Sequence, residues 1–322
     1  MNRREFLGGL AVLGCQGLVS KAVTIPSSAE ASMSEAPAMA PAAKKGKFDD
    51  DTVVFISDLH TNPQGYQPER LVRTVNDILK MKPLPRNVIA LGDLAYLRGQ
   101  ISEYTLLRKI IKPIEDAGIT LTLGMGNHDR RANYAAIFPE HAAKSAMKNY
   151  MNFVVDTPRA AFIIMDSLQE GEDHTSWIVA GKVEADQRQW VVETLKQFTK
   201  PVFVCSHHSI AETGVKDIML DSTACGYIHG HDHVWRPGWI KRNYSSKRLI
   251  PTLCIPSTGH WGDIGYMILS LKEKYAVAEL KQYEYFFPKP VADGAEKPLQ
   301  WQFMEEDHKG LKYHFAYTYP KE

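Results

Sequence analysis

Cysteine is scarce in this chain of 322 residues. There are four, Cys15, Cys205, Cys225 and Cys254, and no two stand in a CxxC pair. That scatter supports neither a disulfide framework nor a zinc ribbon. The last three each lie in an apolar run and read as buried, inert thiols. An excess of charge is missing too. The formal net charge is +1, so bulk electrostatics point neither to a nucleic-acid polymer nor to an anionic membrane. There is no internal repeat. No apolar run is long enough to span a bilayer comfortably, the stretch from Phe6 to Val19 included. At 44% hydrophobic and 23% charged, the whole chain has ordinary globular composition, with enough length for one large core or two smaller ones.

The amino terminus combines Arg3, Arg4 and the Phe6 to Val19 run, the layout of an export signal to be set apart from the fold. "NRREFL" resembles a twin-arginine signal, which a receptor reads. Two processing sites compete. "VLGC", ending at Cys15, resembles a lipobox and would leave Cys15 lipidated. "AEA", Ala29 to Ala31, would release a soluble product. Lipoprotein processing is favoured, because the Ala-, Pro- and Ser-rich stretch that follows reads as a disordered tether. The expected division is an export signal at 1–31, a tether at 32–50, a catalytic domain at 51–287 and an extension at 288–322 packing on it. Membrane contact is expected only through Cys15, and the location is periplasmic or membrane-anchored.

From Thr52 the pattern changes. "TVVFISDLH" is a short β-branched run. "PERLVRTVNDILKMK" places Leu71, Val72, Val75, Ile78 and Leu79 at helical spacing. "NVIALGDLAY", the helical "YTLLRKIIKPIEDAG" with Gly118 as its cap, and "ITLTLGMGNHD" follow. "AAFIIMDS", the helical "EADQRQWVVETLKQF", "KPVFVCSHHS" and "ACGYIHGHDH" continue the alternation, which argues for an α/β fold. "AELKQYEYFFPKP" reads as an edge strand ended by Pro288. His141, His308 and His314 sit outside any motif and read as surface residues.

Five of the apolar runs end in Asp, His or Asn: Asp58 and His60, Asp93, Asn127 with His128 and Asp129, His207, and His231 with His233. Ligands bind beyond the carboxyl ends of strands in open α/β sheets. Singly these clusters are common accidents. Together they supply carboxylate, imidazole and carboxamide donors, a mixture suited to Mn, Fe, Co, Ni or Zn rather than Ca or Mg.

The ordered set D-x-H, G-D-x-x, G-N-H-D, x-x-x-H and G-H-x-H resembles that of the calcineurin-like metallophosphoesterases, over about residues 52–270. The resemblance implies a four-layer α/β/β/α sandwich of two mixed sheets and a site for two divalent transition metals (Mn, Fe, Zn or Co). By it, Asp58, His60 and His233 hold one metal, Asn127, His207 and His231 the other, and Asp93 bridges them. It implies phosphate-ester hydrolysis by a metal-bridging hydroxide, with His128 protonating the leaving oxygen and Asp129 orienting His128. His229 reads as structural. Tyr96, His208, His260 and Trp261 are candidate residues lining the substrate cleft, and His174, Trp177 and Trp235 further rim candidates.

"EADQRQWVVETL" resembles the bacterial phosphodiesterase branch, so a small phosphodiester is favoured over a phosphomonoester. The competing class is a non-catalytic binding module of the same fold. Against it stand all seven ligand-type residues and His128. A structural envelope lipoprotein would rest on the tether alone.

Overall fold

The computed structural model describes residues 47–171, 178–286, 308 and 310–317. The chain separates into units Met1–Ala36 and Pro37–Glu322, and every described residue belongs to the second. The twin-arginine motif, Cys15, the Ala29 to Ala31 site, His174 and Trp177 lie outside the described residues. Among the described residues no helix is long and apolar enough to cross a membrane.

The elements alternate as the periodicity predicts. β1 (Phe48–Ile56), α1 (Gln67–Lys80), β2 (Leu84–Ala90), α2 (Ile101–Asp116) and β3 (Thr120–Leu123) form two βαβ steps, and the three strands are parallel. Then come α3 (Arg131–Ile137), α4 (Pro139–Ala142), β4 (Phe153–Asp156), β5 (Ala161–Met165), α5 (Ala185–Leu195) and β6 (Val202–Ser206). Short helices α6 (Ile210–Thr213) and α7 (Lys216–Leu220) lead to β7 (Ala224–His229), β8 (Arg236–Ile240) and β9 (Ile250–Cys254). A meander of β10 (Gly262–Leu271), β11 (Tyr275–Phe286) and β12 (Lys312–Ala316) ends the described chain.

The strands make two mixed six-stranded sheets, ordered β12-β11-β10-β1-β2-β3 and β4-β5-β6-β7-β9-β8. The sheets pack face to face through an aromatic line. Phe55 meets Phe162 edge-on at 5.7 Å, Phe162 stacks on Phe203 at 5.3 Å, and Phe203 meets Phe315 at 5.3 Å. Strands covered on both faces read as unbroken apolar runs rather than alternating ones. Val53, Val54, Phe55 and Ile56 are accordingly all fully buried. On α1 the residues at helical spacing, Leu71, Val72, Val75, Ile78 and Leu79, form the buried stripe. Each large side chain so buried contributes about 1.5–3 kcal/mol.

Three expectations need correction. β11 is not an edge strand, because β12 pairs with it antiparallel from Tyr275↔Ala316 to Glu279↔Lys312. His141 is buried, and its Nε2 lies 2.9 Å from Glu115 Oε1 on α2. His308 is buried against Asp263. Their partners are distant in sequence, so local pattern left both histidines looking like surface residues. His314 is exposed as expected.

Candidate metal centre

β1, β2 and β3 are parallel, as are β5, β6, β7 and β9, so within each sheet these strands end at one edge. The polar clusters follow those ends. Asp58 and His60 follow β1, Asp93 follows β2, Asn127 and His128 follow β3, His207 follows β6, and His231 and His233 follow β7.

The backbone turns sharply there. Asp58, His60, Asp93, His231 and His233 have φ of 52°, 43°, 48°, 71° and 59°, and they are the only non-glycine residues with positive φ among the described residues. The left-handed region costs an L-residue about 1–2 kcal/mol. Strain of this kind persists where surrounding structure enforces it, and it clusters at functional sites. Two glycines make room for the turns. A Cβ on Gly126 would lie 2.2 Å from Asp93 Oδ1, and one on Gly230 would lie 2.0 Å from Ser57 Oγ and 2.7 Å from Asp58 Oδ2.

The side chains converge. His60 Nε2 is 3.4 Å from His233 Nε2 and 3.4 Å from Asp93 Oδ2. His233 Nε2 is 3.2 Å from Asp58 Oδ1. His207 Nε2 lies 3.2 Å from each of Asp93 Oδ2, Asn127 Oδ1 and His231 Nδ1. Asp93 thus stands between a group of Asp58, His60 and His233 and a group of Asn127, His207 and His231. Asp58, His60 and His233 place one donor atom each within 4.8 Å of one another, a geometry that could hold a metal ion.

Backbone carbonyls fix the rings. His60 Nδ1 donates to Tyr96 O at 3.2 Å, His233 Nδ1 to Trp261 O at 3.0 Å, and His207 Nδ1 to Leu91 O at 3.1 Å. A neutral ring that spends its proton outward presents a lone pair inward. His231 turns its Nδ1 inward instead, with Nε2 3.7 Å from Glu212 Oε1. Lone pairs and carboxylates brought this close repel one another unless a cation, a proton or a metal ion, lies between them. The donor set fits two metal ions on this chemistry.

The electrostatics agree. Burial alone would raise Asp58, but His233 and His207 outweigh it and hold the carboxyl well below its usual range. Asp93 is likewise held far down against burial, by His207 and His128. Burial would lower His207, yet Asp93 and Asp58 raise it to about 9. Burial lowers His60 and His231.

His128 sits at the rim, mostly buried, its amide bonded to Asp93 Oδ1 at 2.9 Å and its ring 4.6 Å from that of His60. Asp129 departs from its expected role. Its Oδ1 accepts from Ala95 N and Tyr104 Oη, and its Oδ2 from Leu94 N and Gly126 N, at 2.9–3.2 Å. Both oxygens are saturated, so Asp129 ties the loops after β2 and β3 together and has no lone pair left to orient His128. Burial and Asp93 push its carboxyl up to about 7. Nor does it cap α3, whose N-cap is Arg130.

His208 also departs from its expected role. It is fully buried, with Nδ1 2.7 Å from Ser167 Oγ and Nε2 3.0 Å from Val179 O, so it backs His207 and His231 instead of lining an open cleft. Burial lowers it to about 2. Tyr96 and His260 are half-buried and meet edge to face at 5.5 Å, and His260 lies 4.3 Å from the His60 ring. Trp261 packs against His233 at 4.3 Å. His229 is buried, donating from Nδ1 to Gly230 O, as a structural residue would. The carbonyls of Leu91, Tyr96 and Trp261 were invisible in the sequence, because any residue supplies a carbonyl. Glu212 carried one local sign, the S-x-x-E capping box that starts at Ser209.

Residues 52–235 match the family model described as calcineurin-like phosphoesterase. No curated protein matches the chain. Among solved structures it is similar to a dimetal phosphatase from Danio rerio, with TM-score 0.55 and 14% identity, over 72% of this chain and 95% of that one. It is also similar to Vps29 from Chaetomium thermophilum, with TM-score 0.37 and 12% identity, over 82% and 98% of the two chains. The first likeness shows a shared fold, and the second is too loose to carry an argument.

Proposed function

The chain belongs to the calcineurin-like phosphoesterase family, over residues 52–235, and from that premise we propose an exported phosphodiesterase working at the cluster around Asp93. Membership makes this a metal-dependent phosphoesterase, of a family that uses two metals.

The carrying observation is the set of five non-glycine residues held at positive φ, Asp58, His60, Asp93, His231 and His233, which converge on one spot. Asp58, His60 and His233 would hold one metal, Asn127, His207 and His231 the other, and Asp93 both. When bound, the metals supply Lewis acidity toward phosphoryl oxygens and acidify water. Tyr96 O, Trp261 O and Leu91 O keep the imidazole nitrogens aimed inward. His128, on the rim beside Asp93, donates the proton that the leaving oxygen takes up. Tyr96 and His260 bound the cleft on the His60 side and orient the ester group that leaves.

A diester is favoured by the charge around the cluster. Among the described residues, no lysine or arginine side chain is hydrogen-bonded to the side chains of the seven ligand residues. A monoester dianion calls for more compensating charge than a diester anion does. Export rests on the Arg3–Arg4 signal, with Cys15 as the lipid attachment point.

A panel of chromogenic phosphomonoesters and phosphodiesters, assayed with Mn, Co, Zn or Fe supplied one at a time, tests this. Faster diester turnover with at least one metal is expected. Monoester turnover that exceeds it with every metal would refute the substrate class, and no turnover at all would refute the catalytic reading.

A further inference from the structure

The described part of the carboxyl-terminal segment reaches the metal centre from behind. Asp263, at the start of β10, is fully buried and grips the loop that carries His233 at two points. Its backbone N–H donates to His233 O at 2.9 Å, and its Oδ2 accepts from Trp235 N at 2.7 Å. The carboxylate is itself held. Gln282 Nε2 donates to Oδ1 at 2.8 Å, and His308 Nδ1 donates to Oδ2 at 2.9 Å. The His308 backbone N–H in turn donates to Gln282 Oε1 at 3.1 Å. His308 is 5% exposed.

The β12 ladder would attach this segment without any of these bonds. β12 pairs with β11 over five residue pairs, and Tyr313 Oη donates to Gly238 O at 2.9 Å across to the second sheet. Phe315 is buried against Phe203. Burying an imidazole and a carboxylate is costly unless their bonds are complete. Here the imidazole bonds the carboxylate, Gln282 and Trp235 bond it too, and these bonds converge on the one carboxylate that clasps a strained metal-site loop, with His233 at φ 59°.

We propose that His308 is a positioning residue, which through Asp263 holds the 233–235 loop so that His233 meets its metal. The proposal rests on the assignment of His233 as a ligand. Changes to groups that orient metal ligands typically cost about 10–100-fold in metal affinity. Only the site formed by Asp58, His60 and His233 depends on this loop, so only one of two affinities should move.

The test uses the purified full chain, stripped with a chelator and titrated with Mn2+ alone by calorimetry. The wild type should bind two ions. His308→Ala should weaken one of them by about tenfold or more and leave the other unchanged. His308→Asn, whose amide nitrogen replaces the Nδ1 donor, should recover most of the loss. Phe315→Leu should lower Tm and leave both affinities intact, since it weakens β12 without touching Asp263. If His308→Ala does not fold, His308→Gln, whose amide reaches the Nε2 position instead, carries the same test with the same expected result. Both affinities unchanged in the His308 variant would overturn the proposal. So would a loss shared by both sites and matched by Phe315→Leu, which marks a merely structural role. A wild type that binds no Mn2+ overturns the metal centre itself and this inference with it.

Discussion

Gly126→Ala is the smallest change that should damage the centre without removing any of its groups. The added Cβ would stand 2.2 Å from Asp93 Oδ1 and 2.4 Å from Asp93 N. Carbon and oxygen settle at about 3.3–3.6 Å, so the Asp93 carboxylate must move by about 1 Å or more. A displacement of that size at a reacting centre costs on the order of a hundredfold in rate. The accompanying overpacking should cost about 1–3 kcal/mol of stability. The assay is kcat on bis(p-nitrophenyl) phosphate at saturating Mn2+, with Tm measured in parallel. Gly214→Ala is the control. Gly214 also has positive φ, 67°, but nothing lies within 4 Å of its added Cβ. It should lose about 1–2 kcal/mol of stability and keep its kcat. A Gly126→Ala enzyme with wild-type kcat would refute the placement of Asp93 at the chemical centre.

Further outcomes follow from the same geometry. Asn127→Ala and His231→Ala should each lower bound metal from two ions to one, by elemental analysis, and cut kcat by at least the roughly 10–100-fold that changes around metal ligands cost. Asp93 and Asp58 raise His207 to about 9, so metal binding near pH 7.5 should release about one proton, read by calorimetry in buffers of different ionisation heat. A raised histidine stabilises below its unfolded value and loses that stabilisation as pH climbs through the folded one. The metal-free protein should therefore shed about 3 kcal/mol between pH 6.5 and about 9, seen as a falling Tm. His141→Ala, which leaves Glu115 without its 2.9 Å partner, should cost about 1–3 kcal/mol in denaturant unfolding and leave kcat unchanged.

The catalytic half of the molecule was legible because its physics is local. Buried parallel strands are unbroken apolar runs, and a polar residue that ends such a run has to face something. The order of five such ends then identified Asp58, His60, Asp93, Asn127, His207, His231 and His233 as one group, and the structure brings them together. What was not legible depends on contacts remote in sequence. Asp129 carries a convincing motif position next to His128, yet its oxygens are claimed by amides of the β2 loop and by Tyr104 from α2. His208 is adjacent to a ligand in sequence, but the chain at 178–181 covers it, with Gly181 so close that a Cβ would lie 2.2 Å from the His208 ring. The strand β11 lost its expected edge because β12 lies across a long stretch of sequence from it. No periodicity within β11 records that pairing.

The central claim is that hydrolysis by this chain requires two metal ions held by the seven residues around Asp93. Its most direct test is hydrolysis of bis(p-nitrophenyl) phosphate by the chelator-stripped protein as Mn2+, Co2+ or Zn2+ is added back in measured equivalents. Activity should be absent at the start, appear with at least one of the metals, and level off at two ions per chain. Hydrolysis that survives stripping, or that levels off at one ion per chain, would contradict it.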